Sequence, residues 1–290
     1  MSTVLAVDIG GTKLAAGLVD DDGRLTAAAT TPTARTHDPE LLWGELRALV
    51  DGVVASASGP LHVVGVGCGG PMAAHGETVS PLNIPAWREF PLRARLAAHT
   101  GLATYVDNDA KALALGEGWL GAAAGVANYI AMVVSTGVGG GIVLDGRLLD
   151  GTSGNAGHIG HVVVEPDGHP CVCGARGCLE AEASGTGIAT ITGRPAAEAG
   201  PEVIERTGTL VGRAVASVAT LLDLQLAVVA GSVALGYGAP FFAAAQREID
   251  ARCGLAYARP TRIVPAGLRD TGPLIGAARV GFVSSGAVTL

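Results

Sequence analysis

Apolar positions in the first 31 residues fall in short runs cut by turn signals: STVLAVDIGG, TKLAAGLVD, then Asp22-Gly23 and RLTAAAT. Runs of this length, bounded by paired glycines and an Asp-Gly turn, predict three antiparallel strands. The pattern then lengthens to DPELLWGELRALVDGVVASA, which predicts a helix with Asp38 as its N-cap and Pro39 in its first position. The strand LHVVGVGC, a polar loop, the helix FPLRARLAAH, the strand ATYVDN and the helix DAKALALGEGWLG complete an α/β unit around a mixed sheet.

The pattern then starts again. NYIAMVVSTGVGGGIVLDGRLL repeats the strand, glycine turn, strand and Asp-Gly turn of the opening, and the tetrapeptide DGRL stands at Asp22 and again at Asp145. Two lobes of related topology are expected, with a boundary in the small-residue stretch between Gly116 and Gly125. The division predicted is an N-terminal lobe over 1–116, a C-terminal lobe over 117–271, and a last helix over 272–290 that returns to the first lobe. Within the second lobe, helices are predicted over AEASGTGIATI, PEVIERTGTLVGRAVASVATLLD and APFFAAAQREID, and strands over QLAVVAGS and TRIVPA.

Composition narrows the choice of partners. A chain of 290 residues suits two domains of ordinary size, and 49% hydrophobic with only 4% aromatic residues supplies small aliphatic material for close-packed α/β layers. A formal charge of -7 without a Lys/Arg cluster argues against nucleic acid and anionic membranes and leaves small molecules as partners. The first residues lack a basic n-region, and the apolar runs are far below the ~20 residues that span a bilayer, so a cytoplasmic protein is expected.

Two glycine clusters are candidates for holding phosphate. Asp8-Ile9-Gly10-Gly11-Thr12-Lys13 joins two strands through a turn of small residues, where backbone N–H groups can approach an anion and Asp8 can hold a hydrated Mg²⁺. A plain hairpin turn would look the same in isolation, but Ser135-Thr136-Gly137-Val138-Gly139-Gly140-Gly141 repeats it in the second lobe, as a nucleotide triphosphate held between two lobes requires. No GxxxxGK[ST] is present. Gly65, Gly67 and Gly70 satisfy GxGxxG, yet Pro71 and the polar AHGETVS follow where a helix should open, so that match is coincidental.

Three of the five cysteines, Cys171, Cys173 and Cys178, lie on one tight loop, CVCGARGC. Three thiolates in CxCxxxxC favour a closed structural zinc site over free thiols or a CxxC redox pair, with a fourth ligand among His158, His161 and His169. Cys68 and Cys253 read as ordinary packed thiols.

DIGGTK, STGVGGG, DNDA and, above all, GHxxV followed by CxCGxxGCLE resemble the ROK family of sugar kinases and sugar-responsive repressors, from about Val4 to the final helix. The resemblance implies an α/β, two-lobed, actin-like ATPase (ribonuclease H-like) fold with an interlobe cleft. It selects His161 as the fourth zinc ligand and makes Asp109 of DNDA the catalytic base. It places Gly70, Asn83 of the N-x-x-x-W pattern, Asn108, His161 and Glu180 on the sugar, and Asp8, Gly10, Gly11, Thr12, Lys13, Thr136, Gly137, Gly139, Gly231 and Ser232 on ATP and Mg²⁺. Ala230 stands where the family carries Gly. Members are often homodimers, and a homodimer is within what the resemblance implies.

One departure bears on substrate. Glucokinase-like members read GExGH where this chain has GHIGH, so His158 replaces a Glu that accepts hydrogen bonds from hydroxyls at the anomeric end. A neutral imidazole has a donor as well as an acceptor, and an acetamido carbonyl could accept from it. GHIGH, AGSVALG and ASGTGIA resemble the subgroup that phosphorylates N-acetylmannosamine at C6. Packing within a short helix is the structural alternative for His158, and glucose is the alternative substrate. A sugar-sensing repressor is disfavoured because DIGG is reached by residue 8, with no room for a DNA-binding domain, and a non-catalytic module because Asp8, Asp109 and both phosphate turns are intact.

Overall fold

The computed structural model describes residues 2–287 and holds two α/β units, each built on its own five-stranded sheet. The first unit comprises the chain up to Leu120, the segment Asp150–Ala156 and the chain from Leu268 onward. The second comprises Gly121–Leu149 and Gly157–Gly267.

In the first unit, β1 (Thr3–Ile9), β2 (Lys13–Asp20) and β3 (Leu25–Pro32) are antiparallel. Helix α1 (Pro39–Val54) leads to β4 (Leu61–Cys68), α2 (Leu92–Thr100) to β5 (Thr104–Asn108), and α3 (Asp109–Leu120) follows at once. The sheet order is β3-β2-β1-β4-β5, with β4 and β5 parallel to β1. Asp38 caps α1 by accepting the Glu40 N–H at 2.9 Å, a contact worth about 1 kcal/mol.

Strand β1 is apolar on both faces because helices cover both. Leu5, Val7 and Ile9 join Leu42, Leu46 and Val50 of α1 in one core, while Val4 and Ala6 alternate onto the other with Leu274, Ile275 and Phe282. The latter belong to α8 (Gly272–Ser284), which packs against β1, β4 and α3. A Cβ at Gly65 would stand 2.0 Å from the Ala277 carbonyl oxygen, so this glycine serves the seating of α8 on the sheet.

The second unit repeats the plan. Strands β6 (Tyr129–Val134), β7 (Val138–Leu144) and β8 (Arg147–Leu148) are antiparallel; β9 (Leu226–Ala230) and β10 (Arg262–Pro265) run parallel to β6, in the order β10-β9-β6-β7-β8. Each DGRL joins the second and third strands of its unit. In the second copy Asp145 (φ 50°) and Gly146 (φ 71°) make the two-residue left-handed turn that suits the twist of a hairpin.

Helices α4 (Leu179–Ala183), α5 (Gly185–Thr192), α6 (Pro201–Leu222) and α7 (Ser232–Arg252) complete the unit. Two predicted helices differ from what is found. AEASGTGIATI is broken at Ser184, whose extended backbone (ψ 162°) ends α4 and whose hydroxyl accepts the Gly187 N–H at 2.9 Å to start α5. The helix predicted from Ala239 begins earlier, at Ser232, and is kinked at Gly238 (φ 59°, ψ -143°), so the predicted piece is its second half. Among the described residues no helix is long and apolar enough to cross a membrane.

Candidate active site and metal cluster

The site residues expected from the sequence divide between the units. Asp8, Gly10–Lys13, Gly70, Asn83, Asn108 and Asp109 lie in the first, and Thr136, Gly137, Gly139, His158, His161, Glu180, Gly231, Ser232 and the three cysteines in the second.

In the first unit, neighbouring strand ends supply the carboxylates. Asp8 of β1 is in register with Gly67 of β4, and Gly67 with Asp107 of β5. A Cβ at Gly67 would lie 3.6 Å from both Asp8 Oδ1 and the Asp109 Cα, so the missing side chain leaves the two aspartates over bare backbone. Burial and then the Asp109 carboxylate push Asp8 up to about 7, with Lys13 pulling the other way. Burial also raises Asp109, against the stabilising N–H groups of Ala110 and of Asp109 itself. Two carboxylates that resist ionisation together suit a cation at one and a proton at the other.

The DIGGT turn closes with the Gly10 N–H donating to the Lys13 carbonyl at 3.0 Å, which leaves Gly11, Thr12 and Lys13 exposed. Asn83 sits against it: a Cβ at Gly11 would be 2.7 Å from the Asn83 Cβ. Gly70 belongs to the same loop, its carbonyl accepting the Leu82 N–H at 3.1 Å. Trp87, fully buried and stacked on Phe90 at 4.4 Å, anchors that loop, which accounts for the Trp of the N-x-x-x-W spacing. Asn108 caps α3 through its Oδ1, 3.0 Å from the Ala110 N–H, and Asp109 Oδ1 shares that donor at 2.8 Å.

Lys111 was not among the expected site residues. Its side chain is 2% exposed, and its ammonium donates to Asp107 (3.0 Å), Asp150 (2.6 Å) and the Gly154 carbonyl (3.2 Å). Burial alone would lower its pKa, but the two carboxylates more than reverse this and hold it above the ordinary value. The three bonds tie Asp150–Ala156 to the DNDA strand end. The available signal was a lone lysine at an apolar position of α3, four residues after Asp107. Lys111→Met is expected to cost about 2–3 kcal/mol by leaving Asp107 unpaired, measured by urea unfolding.

In the second unit, the Ser135 N–H donates to the Gly137 carbonyl (2.9 Å), forming the turn between β6 and β7. The start of α5 braces it from outside: Gly185 N–H donates to the Ser135 carbonyl (2.7 Å) and Thr186 N–H to that of Thr136 (3.2 Å). Gly139 follows within β7. Gly231 takes φ 101°, with its Cα against the Val134 backbone, and Ser232 Oγ lies 2.9 Å from Ser135 Oγ. Ser135, Thr136, Thr186 and Ser232 border a cavity of about 820 Å³ whose walls also include Arg194 and Tyr237, while Gly137, Gly139 and Gly231 do not line it. That volume accommodates a nucleotide. Thr186 lies within ASGTGIA, which marks the subgroup resemblance without pointing to a nucleotide, and Arg194 and Tyr237 fall outside the quoted motifs.

His161, Cys171, Cys173 and Cys178 bring their ligand atoms within 4.8 Å of one another. His161 Nδ1 lies 3.7 Å from Cys171 Sγ, and Cys173 Sγ 3.8 Å from Cys178 Sγ. A zinc tetrahedron with bonds of about 2.3 Å has edges of about 3.8 Å, so the donor set fits that ion. His169 is engaged elsewhere: its backbone N–H (2.5 Å) and Nδ1 (3.0 Å) meet Glu182, whose fully buried carboxylate also takes Arg206 at 2.5 Å. His158 stands outside the four-atom cluster, its ring centroid 6.0 Å from that of His161.

The model of the ROK family matches residues 4–281. The chain belongs to the ROK family. This ROK chain is 40% identical over 254 residues to the N-acetylmannosamine kinase of Citrobacter koseri, covering 82% of the chain and 86% of that relative. It is 38% identical to the one from Escherichia fergusonii, covering 81% and 85%. Among solved structures it superposes on the ROK hexokinase of Thermus thermophilus (TM-score 0.83, 30% identity, 99% and 100% covered). It also superposes on the ROK glucokinase of Streptomyces griseus in complex with glucose and AMPPNP (0.82, 29%, 96% and 98%). Its two mixed sheets place the ROK chain in the two-lobed, actin-like ATPase fold class of those kinases.

Proposed function

We propose that this ROK sugar kinase transfers the γ-phosphoryl group of ATP to the C6 hydroxyl of N-acetylmannosamine, as a cytoplasmic enzyme. The observation that carries the substrate is His158. It replaces the glutamate of GExGH, and its place outside the His161–Cys171–Cys173–Cys178 cluster leaves it a role other than metal binding. The names of relatives at 38–40% identity point the same way.

In this reading Asp109 accepts the C6 hydroxyl proton, which converts a poor nucleophile into one aimed at phosphorus. Asn83, Asn108, Gly70, His158, His161 and Glu180 bind the sugar. Gly10–Lys13, Thr136, Gly137 and Gly139 cradle phosphates, while Gly231 and Ser232 lie under the nucleoside. Asp8 would hold Mg²⁺, which neutralises phosphate charge, and the His161/Cys171/Cys173/Cys178 set would hold Zn²⁺, which fixes the loop before Glu180.

ADP release from ATP and Mg²⁺ is the test, with N-acetylmannosamine, glucose, N-acetylglucosamine and mannose in parallel. A kcat/KM at least about tenfold higher for N-acetylmannosamine than for glucose is expected, with His158→Glu narrowing the ratio. A preference for glucose would assign the chain as a glucokinase, and turnover of none of the four would overturn the kinase reading.

A further inference from the structure

Glu180 does something its place on the sugar does not require. It is the second residue of α4, two positions after Cys178, yet its Oε2 accepts the backbone N–H of Val138 at 2.9 Å, forty-two residues away in the chain. Val138 is the first residue of β7 and the last step out of the Ser135–Gly137 turn. Gly137 is shaped to this carboxylate: a Cβ there would lie 2.8 Å from Glu180 Oε2, closer than carbon and oxygen can stand. The glycine that reads as a phosphate-turn residue is thus also the space the carboxylate occupies.

The two oxygens are used unequally. Oε2 is committed to the turn, whereas Oε1 has no hydrogen-bond partner among the described residues and is not a buried orphan. A carboxylate has about four lone-pair sites, so it can hold the turn and accept a ligand hydroxyl at once. The Val138 N–H, being taken, is not offered to phosphate. Its partner is instead what keeps the strand end in register with the turn, together with the bonds from Gly185 and Thr186 on the other side.

We propose that Glu180 is a positioning residue for the phosphate turn as well as a sugar ligand, so that sugar and nucleotide affinity are coupled through one carboxylate. The inference rests on the reading of Ser135–Gly141 as a phosphate turn and of Glu180 as a sugar ligand. A sugar hydroxyl on Oε1 fixes the carboxylate, and a nucleotide on the turn fixes the Val138 N–H that Oε2 holds, so either ligand lowers the ordering left for the other to impose. Coupling of this kind typically amounts to about 5-fold or more in affinity.

The test measures AMPPNP binding by calorimetry to the full, zinc-loaded chain with Mg²⁺ and no sugar, in wild type, Glu180→Ala and Glu180→Gln. A group that only touches sugar would leave these affinities alike. The coupling predicts a loss of about 5-fold or more in Glu180→Ala, with Glu180→Gln close to wild type because its amide oxygen still accepts the Val138 N–H. Gly137→Ala approaches from the other side and keeps the helix next to the cysteines untouched. Its methyl group displaces the carboxylate and is expected to raise the sugar Kd by a comparable factor. Equal AMPPNP affinity in wild type and Glu180→Ala, equal loss in the Ala and Gln variants, or an unchanged sugar Kd in Gly137→Ala overturns the proposal. Failure of wild type to bind AMPPNP at all would instead overturn the nucleotide reading beneath it.

Discussion

Asp109→Ala is expected to lower kcat by about 10²- to 10⁴-fold while leaving the sugar KM within a few-fold of wild type. The expectation comes from where the carboxylate stands. It opens α3, over the bare backbone of Gly67 and beside Asp8, and burial raises its pKa against the donation it receives from Ala110. A raised pKa makes a carboxylate a better acceptor for an alcohol proton, provided the pH is high enough to ionise it. Turnover should therefore fall as pH drops through that raised value.

Stability moves the opposite way. Above the ordinary value of 3.8 the unfolded chain has released the Asp109 proton while the folded chain still holds it, so this residue's contribution is fullest at low pH and is lost as pH rises through the folded value. Asp109→Asn removes that penalty. It should be at least as stable as wild type at pH 8, measured by thermal unfolding, while as inactive as the Ala variant. An Asp109→Ala enzyme with near-normal kcat would remove Asp109 as the base, whereas loss of activity together with a collapsed Tm would make it a structural cap of α3.

Much of this could be read from local sequence. The repeated strand plan was legible because Asp-Gly turns and short apolar runs are local signals, and both DGRL tetrapeptides join the same pair of strands in sheets of the same order. What escaped depends on long-range contact. Nothing around Asp150 announces that Asp150–Ala156 packs with the first unit, because that placement is made by a buried ammonium thirty-nine residues earlier in the chain. Ser184 reads as an ordinary helix residue until its hydroxyl is seen to cap α5. The fourth partner of the cysteines stayed open on spacing alone, since three histidines lie within reach along the chain. It is decided by Glu182, which takes both the backbone and the ring of His169, and by the 3.7 Å approach of His161 to Cys171.

Removing zinc is expected to cost sugar affinity before it costs the fold. The loop has hydrogen bonds of its own: Gly177 N–H to the His169 carbonyl (2.8 Å), Cys171 N–H to that of Ala175 (2.8 Å), and the Glu182 contacts to His169 and Arg206 beneath. These hold its base; at its tip Cys173 and Val172 are exposed, in a turn closed by the Gly174 N–H on the Cys171 carbonyl (3.0 Å) and otherwise tied by the donor cluster. Burial and then the Cys173 and Cys171 thiols push Cys178 up to about 12, so loading zinc must expel protons and should weaken as pH falls. Zinc binding contributes about 10 kcal/mol in isolated zinc-finger peptides, and less of it should appear as stability here, where the second unit has a large apolar core of its own. Glu180 lies in the first turn of α4, two residues after Cys178, so slackness in the loop reaches it directly. Cys178→Ser, or exhaustive chelation, is therefore expected to raise the sugar KM by about 10- to 100-fold with the circular-dichroism spectrum at 25 °C unchanged. A chelated protein that unfolds outright at 25 °C would make the metal a folding requirement for the unit, and one with an unchanged sugar KM would show that Glu180 is held without it.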